Sequence, residues 1–433
     1  SGAECGKTRR GIGGIAVKQT LALYGGTPVK TTPFGTGRRF GLDEARELLE
    51  ALEQDTLFYH FGKKVKQFLH NFNEMYGVKY SVAVSSGTAA IHVALGAAGV
   101  TVGDEVITSP ITDQGTLVGI LYQNAIPVFA DLDPHTYNLD PKSVEARITE
   151  RTKAIVVVHL AGNPCDMDPI MELASKYVLK VIEDCAQSYL TKYKGRLVGT
   201  IGDYGCFSTN DFKHISTGDG GIVTVNSGSE ADYHAVHAFA DKNYRRLGSD
   251  VNREPEFLAP NYRMTELQGA VGVAQLKKLR WICERRTQYG DRITRGIEGL
   301  PGIAPHRVEP GNTCTYWFYM LRVDEKTLGC DRDLFCKALS AEGIPCSAGY
   351  IRDVVYMQPL FQRLSAYQGS KFPFDLTGIT YRRGDCPNAE NILRTAVRIG
   401  VNEHYTESDI DDIVNGIRKV ATAFHASSSE VGS

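Results

Sequence analysis

Residues 205–221 read Gly-Cys-Phe-Ser-Thr-Asn-Asp-Phe-Lys-His-Ile-Ser-Thr-Gly-Asp-Gly-Gly, and the rest of the chain is arranged around them. Cys206-Phe207-Ser208 is strand-like and leads to one lysine, Lys213. Gly218, Gly220 and Gly221 follow, then a second apolar run at 222–225. An amine held between two sheet elements, with close-approach glycines beside it, suits a Schiff base to an aldehyde cofactor. A lysine in a loop is also the ordinary solvated surface residue. The neighbouring stretches decide between these readings.

Upstream, residues 81–85 form a short strand, Ser-Val-Ala-Val-Ser. Ser86-Gly87-Thr88 and a small-residue helix over 89–98 come next. This unit offers backbone N–H groups and a hydroxyl at a helix N-terminus, where a phosphate binds well. A plain Ser/Thr cap is the other reading. Gly103-Asp104-Glu105-Val106-Ile107 turns into a strand, and 126–130 and 154–159 are further strand-like runs. His159 closes its strand, either as a satisfied core or cap residue or as a ligand contact. The strand at 180–184 ends on Asp184. Strands alternating with helices imply an α/β fold with a mainly parallel sheet flanked by helices. Ligands in such sheets sit at the carboxyl ends of strands. Asp184 therefore faces a ligand, unless it caps a helix or lies on the surface.

Farther out, 43–54 has helical apolar spacing, with Asp43 as N-cap and Ala45, Leu48, Leu49 and Leu52 on one stripe. Phe58, Tyr59, His60 and Phe61 form a packed aromatic loop or a substrate-facing one. A long amphipathic helix starts at Thr265, after Pro260-Asn261-Tyr262-Arg263-Met264. Beyond about 281 the pattern changes. A strand at 316–323, a helix at 331–343, a strand at 344–350 and a closing helix at 408–423 indicate a smaller α+β unit. Ile410, Ile413, Ile417 and Val420 share one stripe of that last helix. The expected division is a flexible tail over 1–20, a large cofactor-binding domain over 21–280, a small C-terminal domain over 281–425 and a tail over 426–433.

Apolar residues make up 42% of the 433 and charged residues 23%, which fits a globular protein with a large core. Net charge is −2, from 48 basic and 50 acidic residues that are well mixed, so no nucleic-acid surface is expected. The ten cysteines include no CxxC pair, which argues against a zinc cluster and leaves no metal site. Scattered thiols, no apolar run of membrane length and no leader-like opening make the cytoplasm the expected location, with no membrane partner.

A pyridoxal phosphate enzyme needs a lysine, an acid for the pyridine nitrogen, a phosphate cup and a donor near the phenolic oxygen. Lys213, Asp184, Ser86-Gly87-Thr88 with Ser208, and Gln187 supply them in a workable order. The chain resembles the DegT/DnrJ/EryC1/StrS sugar aminotransferases, of the type I fold, from about Leu21 to His425. The matching stretches are Ser85–Ala90, Gly103–Ile107, Glu183-Asp184-Cys185-Ala186-Gln187, the Lys213 block and Asn261–Glu266. The resemblance implies Lys213 as the Schiff-base lysine, Asp184 as partner of the pyridine nitrogen and Gln187 as a ring contact. It implies Gly87, Thr88 and Ser208 on the phosphate, and Asn261 reaching the phosphate of a neighbouring subunit in a homodimer. The family usually stacks an aromatic on the cofactor after Gly-Asp-Glu-Val-Ile. This chain has Thr112-Asp113-Gln114 there, so Asp113 or Gln114 lies against the ring or faces the substrate. A related group replaces the lysine by histidine and removes a hydroxyl. Here the lysine is present and His214 is only its neighbour. The implied activity is amino transfer from glutamate or glutamine to a keto-sugar or keto-cyclitol, in amino-sugar or natural-product biosynthesis. Residues 347–352 are a further candidate for substrate contact. Two other readings remain: a pyridoxal phosphate-dependent sugar dehydratase or lyase, and a non-catalytic binding protein on the same fold.

Overall fold

The computed structural model describes residues 20–247 and 250–431. Its central sheet has seven strands: β1 (Tyr80–Val84), β2 (Glu105–Thr108), β3 (Ile126–Phe129), β4 (Thr152–Val158), β5 (Lys180–Asp184), β6 (Tyr204–Ser208) and β7 (Gly221–Val225). Their order is β1-β7-β6-β5-β4-β2-β3. Strands β2 to β6 pair in parallel, while β7 runs antiparallel to both β1 and β6. The β-branched runs explain the burial. Val156, Val157, Val181 and Ile182 are fully covered, as strands with helices on both faces must be. Flanking helices include α1 (Leu42–Glu53), α2 (Lys64–Tyr76), α3 (Gly87–Ala97), α4 (Gln114–Tyr122), α5 (Met167–Tyr177) and α6 (Glu230–Ala240). This is the mainly parallel α/β architecture expected of the type I aminotransferase fold.

A 32-residue helix, α7 (Glu266–Ile297), leads into the smaller unit. That unit has an antiparallel sheet of β8 (Ile303–Pro305), β9 (Tyr319–Val323), β10 (Cys346–Ala348) and β11 (Ala396–Ile399), in the order β8-β9-β11-β10. Helices α8 (Arg332–Ala341) and α9 (Glu407–Val431) pack on it. Ile410, Ile413, Ile417 and Val420 are fully buried, on the stripe their spacing predicts.

Three expectations change. The boundary expected at 280/281 falls inside α7, so one helix belongs to both units. Residues from 21 to about 35, expected in the large domain, dock on the small one. Leu21 joins its core, the Lys30 ammonium sits between Asp409 (2.6 Å) and Asp412 (3.0 Å), and Ala22 N–H donates to Glu342. A buried ammonium needs such carboxylates, which fixes where this segment lies. The closing helix continues to Val431, through most of the tail expected from 426, because no glycine or proline lies between Phe424 and Val431. Residues 1–19 and 432–433 of the expected tails lie outside the described residues.

Helix α1 is also turned over relative to its pattern. Its start is held by Gly41 N–H donating to Glu44 Oε2 at 2.8 Å, not by Asp43. Glu44 and Glu47 face inward, where Glu44 accepts from Gln275 and Lys278, and Glu47 from Lys64. Leu49 and Leu52 face outward, 61% and 58% exposed. Ion pairing to α2 and α7 decides which side of the helix is inside.

Candidate active site

The carboxyl ends of β5 and β6 and the first turns of α3 and α4 converge on a cleft of about 800 Å³. Ser86, Gly87, Thr88, Asp113, Asp184, Gln187, Ser208 and Lys213 all line it. The opposite wall comes from the small unit and α7: Trp317, Tyr350, Arg398 and Arg286. Strand ends meeting at one edge of the sheet, with α3 following β1 and α4 following β2, place these short side chains side by side.

Lys213 follows β6 in a tight turn, its N–H donating to Asn210 O at 2.9 Å. The ammonium nitrogen lies 3.9 Å from the centre of the Trp317 ring. Burial pushes the Lys213 pKa below the usual lysine value, against the pull of the Asp184 and Asp113 carboxylates. Asp184 is 5% exposed. Its Oδ2 accepts from Thr116 Oγ1 (2.8 Å) and Oδ1 from Ala186 N–H (3.1 Å). Burial pushes this carboxyl above the usual range, and those two donors and Lys213 draw it back. A cationic N–H beside Asp184 would supply the compensation that two neutral donors leave incomplete.

The phosphate cup fits as well. Ser86 caps α3, its Oγ accepting from Ala89 N–H at 3.0 Å. The N–H groups of Gly87 and Thr88 stand ahead of any intrahelical acceptor. A Cβ on Gly87 would meet Ser208 Cβ at 2.6 Å, and one on Gly221 would meet Ser86 O at 2.3 Å, so backbone lines the cup. Gln187 is 4% exposed, with Oε1 tied to Ala161 N–H (2.7 Å) and Nε2 donating to Tyr350 OH (3.2 Å). An amide with its oxygen committed keeps only N–H for a ligand. The residues present therefore fit a pyridoxal phosphate: amine, carboxylate, cup and amide donor line one cleft.

Other candidates are not brought there. His159 is fully buried and lies outside the cleft. Its Nδ1 accepts from Cys165 N–H (3.0 Å), so Nε2 carries the proton toward Glu183 (3.0 Å). It is a core residue, not a cofactor or substrate contact. Gln114 hydrogen-bonds Gln358 and also lies outside, whereas Asp113 lines the cleft as the cap of α4. Asn261 is exposed and bridges the backbone of Asp241, away from this cleft. Tyr59, His60 and Phe61 line a separate cleft with Asp241, Arg246 and Arg263. Of 347–352 only Tyr350 lines the active cleft. His214 turns inward, with Nε2 on Thr315 O at 3.1 Å.

Sequence reasoning missed Thr116, Trp317, Arg286 and Arg398. Thr116 lies three residues after Asp113, on the first turn of the helix Asp113 caps, and that spacing is a signal for it. The other three reach the cleft from the small unit and α7, where no local pattern marks them.

Comparison with known proteins agrees with this geometry. The family model described as the DegT/DnrJ/EryC1/StrS aminotransferase family matches residues 40–418. The spore coat polysaccharide biosynthesis protein SpsC of Bacillus subtilis is 36% identical over 386 residues, covering 88% of this chain and 95% of its own length. A putative L-glutamine:3-amino-2,3-dideoxy-scyllo-inosose aminotransferase of Streptoalloteichus tenebrarius is 34% identical over 416 residues, covering 92% and 97%. The X-ray structure of an aminotransferase from Psychrobacter cryohalolentis superimposes with a TM-score of 0.81 at 32% identity, covering 91% of this chain and all of that one. The chain belongs to the DegT/DnrJ/EryC1/StrS aminotransferase family.

Proposed function

We propose that this chain is a pyridoxal 5′-phosphate-dependent aminotransferase, moving an amino group from glutamate or glutamine to a keto-sugar or keto-cyclitol in amino-sugar or natural-product biosynthesis. The observation that carries this is the Lys213 amine, lowered in pKa by burial, sharing one cleft with the buried Asp184 carboxylate. The name of the Streptoalloteichus relative, with its glutamine donor and cyclitol acceptor, supports the substrate class.

When bound, the cofactor supplies an aldehyde and an electron sink. The chain supplies the rest. Lys213 would hold the cofactor's aldehyde and, as a free amine, would accept and return the proton on the donor's α-carbon. Its lowered pKa raises the fraction of neutral amine that can accept that proton. Asp184 would keep a positive charge on the pyridine nitrogen. Ser86, Gly87, Thr88 and Ser208 would hold the phosphate, and the Gln187 amide would donate toward the ring oxygen.

The test is to load the protein with cofactor and follow its visible band, then assay keto-sugars and keto-cyclitols with each donor by mass. Nitrogen gain by the acceptor, with band loss on borohydride, is the expected result. Loss of a hydroxyl without nitrogen gain would establish the lyase reading instead.

The same reading makes the active form a homodimer. Leu42, Leu49, Leu52 and Phe61 are exposed by 58% to 75%, and an apolar face of that kind supports a subunit contact. Asn261, exposed beside the separate cleft, would complete the partner's phosphate site. Asn261→Ala should weaken cofactor retention and leave sedimentation unchanged. A dilute monomer with full activity would rule this assembly out. The scattered cysteines support a cytoplasmic location.

A further inference from the structure

Among the described residues, Lys213 Nζ has no hydrogen bond and no carboxylate in ion-pair contact. What it meets is the Trp317 ring, whose centre lies 3.9 Å away. An aromatic face attracts a cation within about 6 Å. The charged groups around the amine work at longer range. Asp184 on β5 and Asp113 at the start of α4 favour the ammonium, and burial opposes it. Asp211 and Asp219, on the same loop, are partnered by Ser216 and Asn210. Arg39, Arg286 on α7 and Arg398 on β11 line the cleft and repel a cation. Burial keeps His214, the next residue, neutral.

Trp317 is fixed in this position from several sides. Its ring N–H donates to the carbonyl of Phe212, the residue before Lys213, at 2.7 Å. Its backbone N–H donates to Ala161 O (3.0 Å), and its carbonyl accepts from Arg286 Nη1 (3.3 Å). Tyr350 packs edge-on against the ring at 5.8 Å. The backbone is strained on both sides of the contact with Ala161. Tyr316 has φ 39° and Ala161 φ 59°, in the left-handed region that residues with a Cβ seldom adopt. Such strain persists only where the surroundings over-determine it, and it gathers at functional sites. Here Tyr316 is buried with its hydroxyl on Asp291 (2.9 Å), and Ala161 N–H is held by Gln187 Oε1 (2.7 Å). A tryptophan that only filled space between the two units would be covered. This one is half-buried and turns its face to the amine.

We infer that Trp317 is a positioning residue that seats the free amine of Lys213 during the reaction. This rests on the aminotransferase reading above and adds a residue to it. A freed lysine is a point charge on a flexible four-carbon stem, with no orientation of its own. The indole face collects the ammonium, and the indole N–H holds the main chain at Phe212. The amine therefore keeps one orientation in the cleft between successive proton transfers.

The experiment uses the full-length wild-type chain and its Trp317→Leu and Trp317→Phe variants. Before cofactor is added, each is labelled with acetic anhydride across a pH series, and acetylation of Lys213 is read by peptide mass. Only the neutral amine reacts, and exposed Lys176 is the internal reference. The ring stabilises the ammonium, so its removal lowers the pKa and moves Lys213 labelling to lower pH. The midpoint should fall by about one pH unit in Trp317→Leu, as for loss of a desolvated cation–ring contact, and by less in Trp317→Phe. The Lys176 midpoint should not move. Cofactor is then added, and an unchanged visible band verifies that each variant is folded and loaded. The limiting rate at which L-glutamine or L-glutamate bleaches that band should fall about tenfold in Trp317→Leu, with the half-saturating concentration within about twofold of wild type. An amine that deprotonates more easily yet transfers its proton more slowly has lost its seat. Lost packing alone would leave the labelling midpoint in place. A Lys213 midpoint or a limiting rate that is unchanged in Trp317→Leu overturns the inference. Should that variant not fold, Trp317→Phe decides, and either quantity unchanged there overturns it. If wild type reacts with no amino acid while the Lys213 midpoint still falls in Trp317→Leu, the aminotransferase reading falls and the seat stands. If wild type and both variants react at one rate, the reading stands and the seat falls.

Discussion

Glu183 and Asp184 are consecutive residues of β5, and alternation along the strand sends their side chains to opposite faces of the sheet. Both are buried, at 0% and 5% exposure. Glu183 accepts from the N–H groups of Gly199 (2.8 Å), Ile201 (2.7 Å) and Gly202 (2.7 Å), and from His159 (3.0 Å). Asp184 has one hydroxyl and one backbone N–H. The first carboxylate is surrounded by donors that the fold supplies. The second is left short, beside an amine whose pKa burial has lowered. A carboxylate that closes a structure and one that serves a ligand can therefore be told apart by counting donors, even at equal burial.

The largest effect is expected on the Asp184 side. Lys213→Ala removes the anchoring amine and the proton carrier together. The catalytic loss should be on the order of 10⁴-fold or more in kcat/KM, with cofactor still retained non-covalently. Turnover near the wild-type rate would remove the central assignment. Asp184→Asn comes next. It keeps the shape and the Thr116 contact but not the charge, and should cost about 10²–10³-fold in kcat. Bound cofactor and wild-type kcat together would show that Asp184 has been given the wrong task.

Glu183→Gln sharpens the contrast from the other side. It should lower unfolding stability by about 2–3 kcal/mol, because hydrogen bonds to a charge are lost. The kcat of the folded protein should stay near wild type. A chemical-denaturation midpoint that does not move, or a kcat that falls as far as in Asp184→Asn, would erase the distinction. The smallest effect belongs to Thr116→Val, which removes one donor from Asp184 and should cost about tenfold or less in kcat. A larger loss would mean that Thr116 meets the substrate directly.

The meeting of Asp184, Lys213 and Ser86–Thr88 in one cleft was legible in the sequence because Asp184 ends a strand, Ser86–Thr88 starts a helix and Lys213 lies in the loop between a strand and a glycine-rich turn, and those boundaries carry local signals. The parallel sheet was legible from its β-branched runs for the same reason. Helix α1 was misread because its leucines have good core spacing. What turns the helix is pairing of Glu44 and Glu47 with Lys278 and Lys64, and the first of these partners lies more than two hundred residues away. His159 ends a strand just as Asp184 does, yet a cysteine N–H and Glu183 claim both its ring nitrogens. Trp317 carried no signal at all, since it meets Lys213 and Phe212 across more than a hundred residues of chain.

Helix α7, at 32 residues, is about 48 Å long at 1.5 Å per residue. Its first turn is tied to the sheet side, where Glu266 accepts from the N–H groups of Lys64 and Val65. Its far half is tied to the other side through Arg286 and Tyr289, which bond Glu403 and Tyr405. The helix is thus a beam built into both walls of the cleft, continuous from one anchor to the other. The spacing of its two anchored ends ties the position of one wall to that of the other.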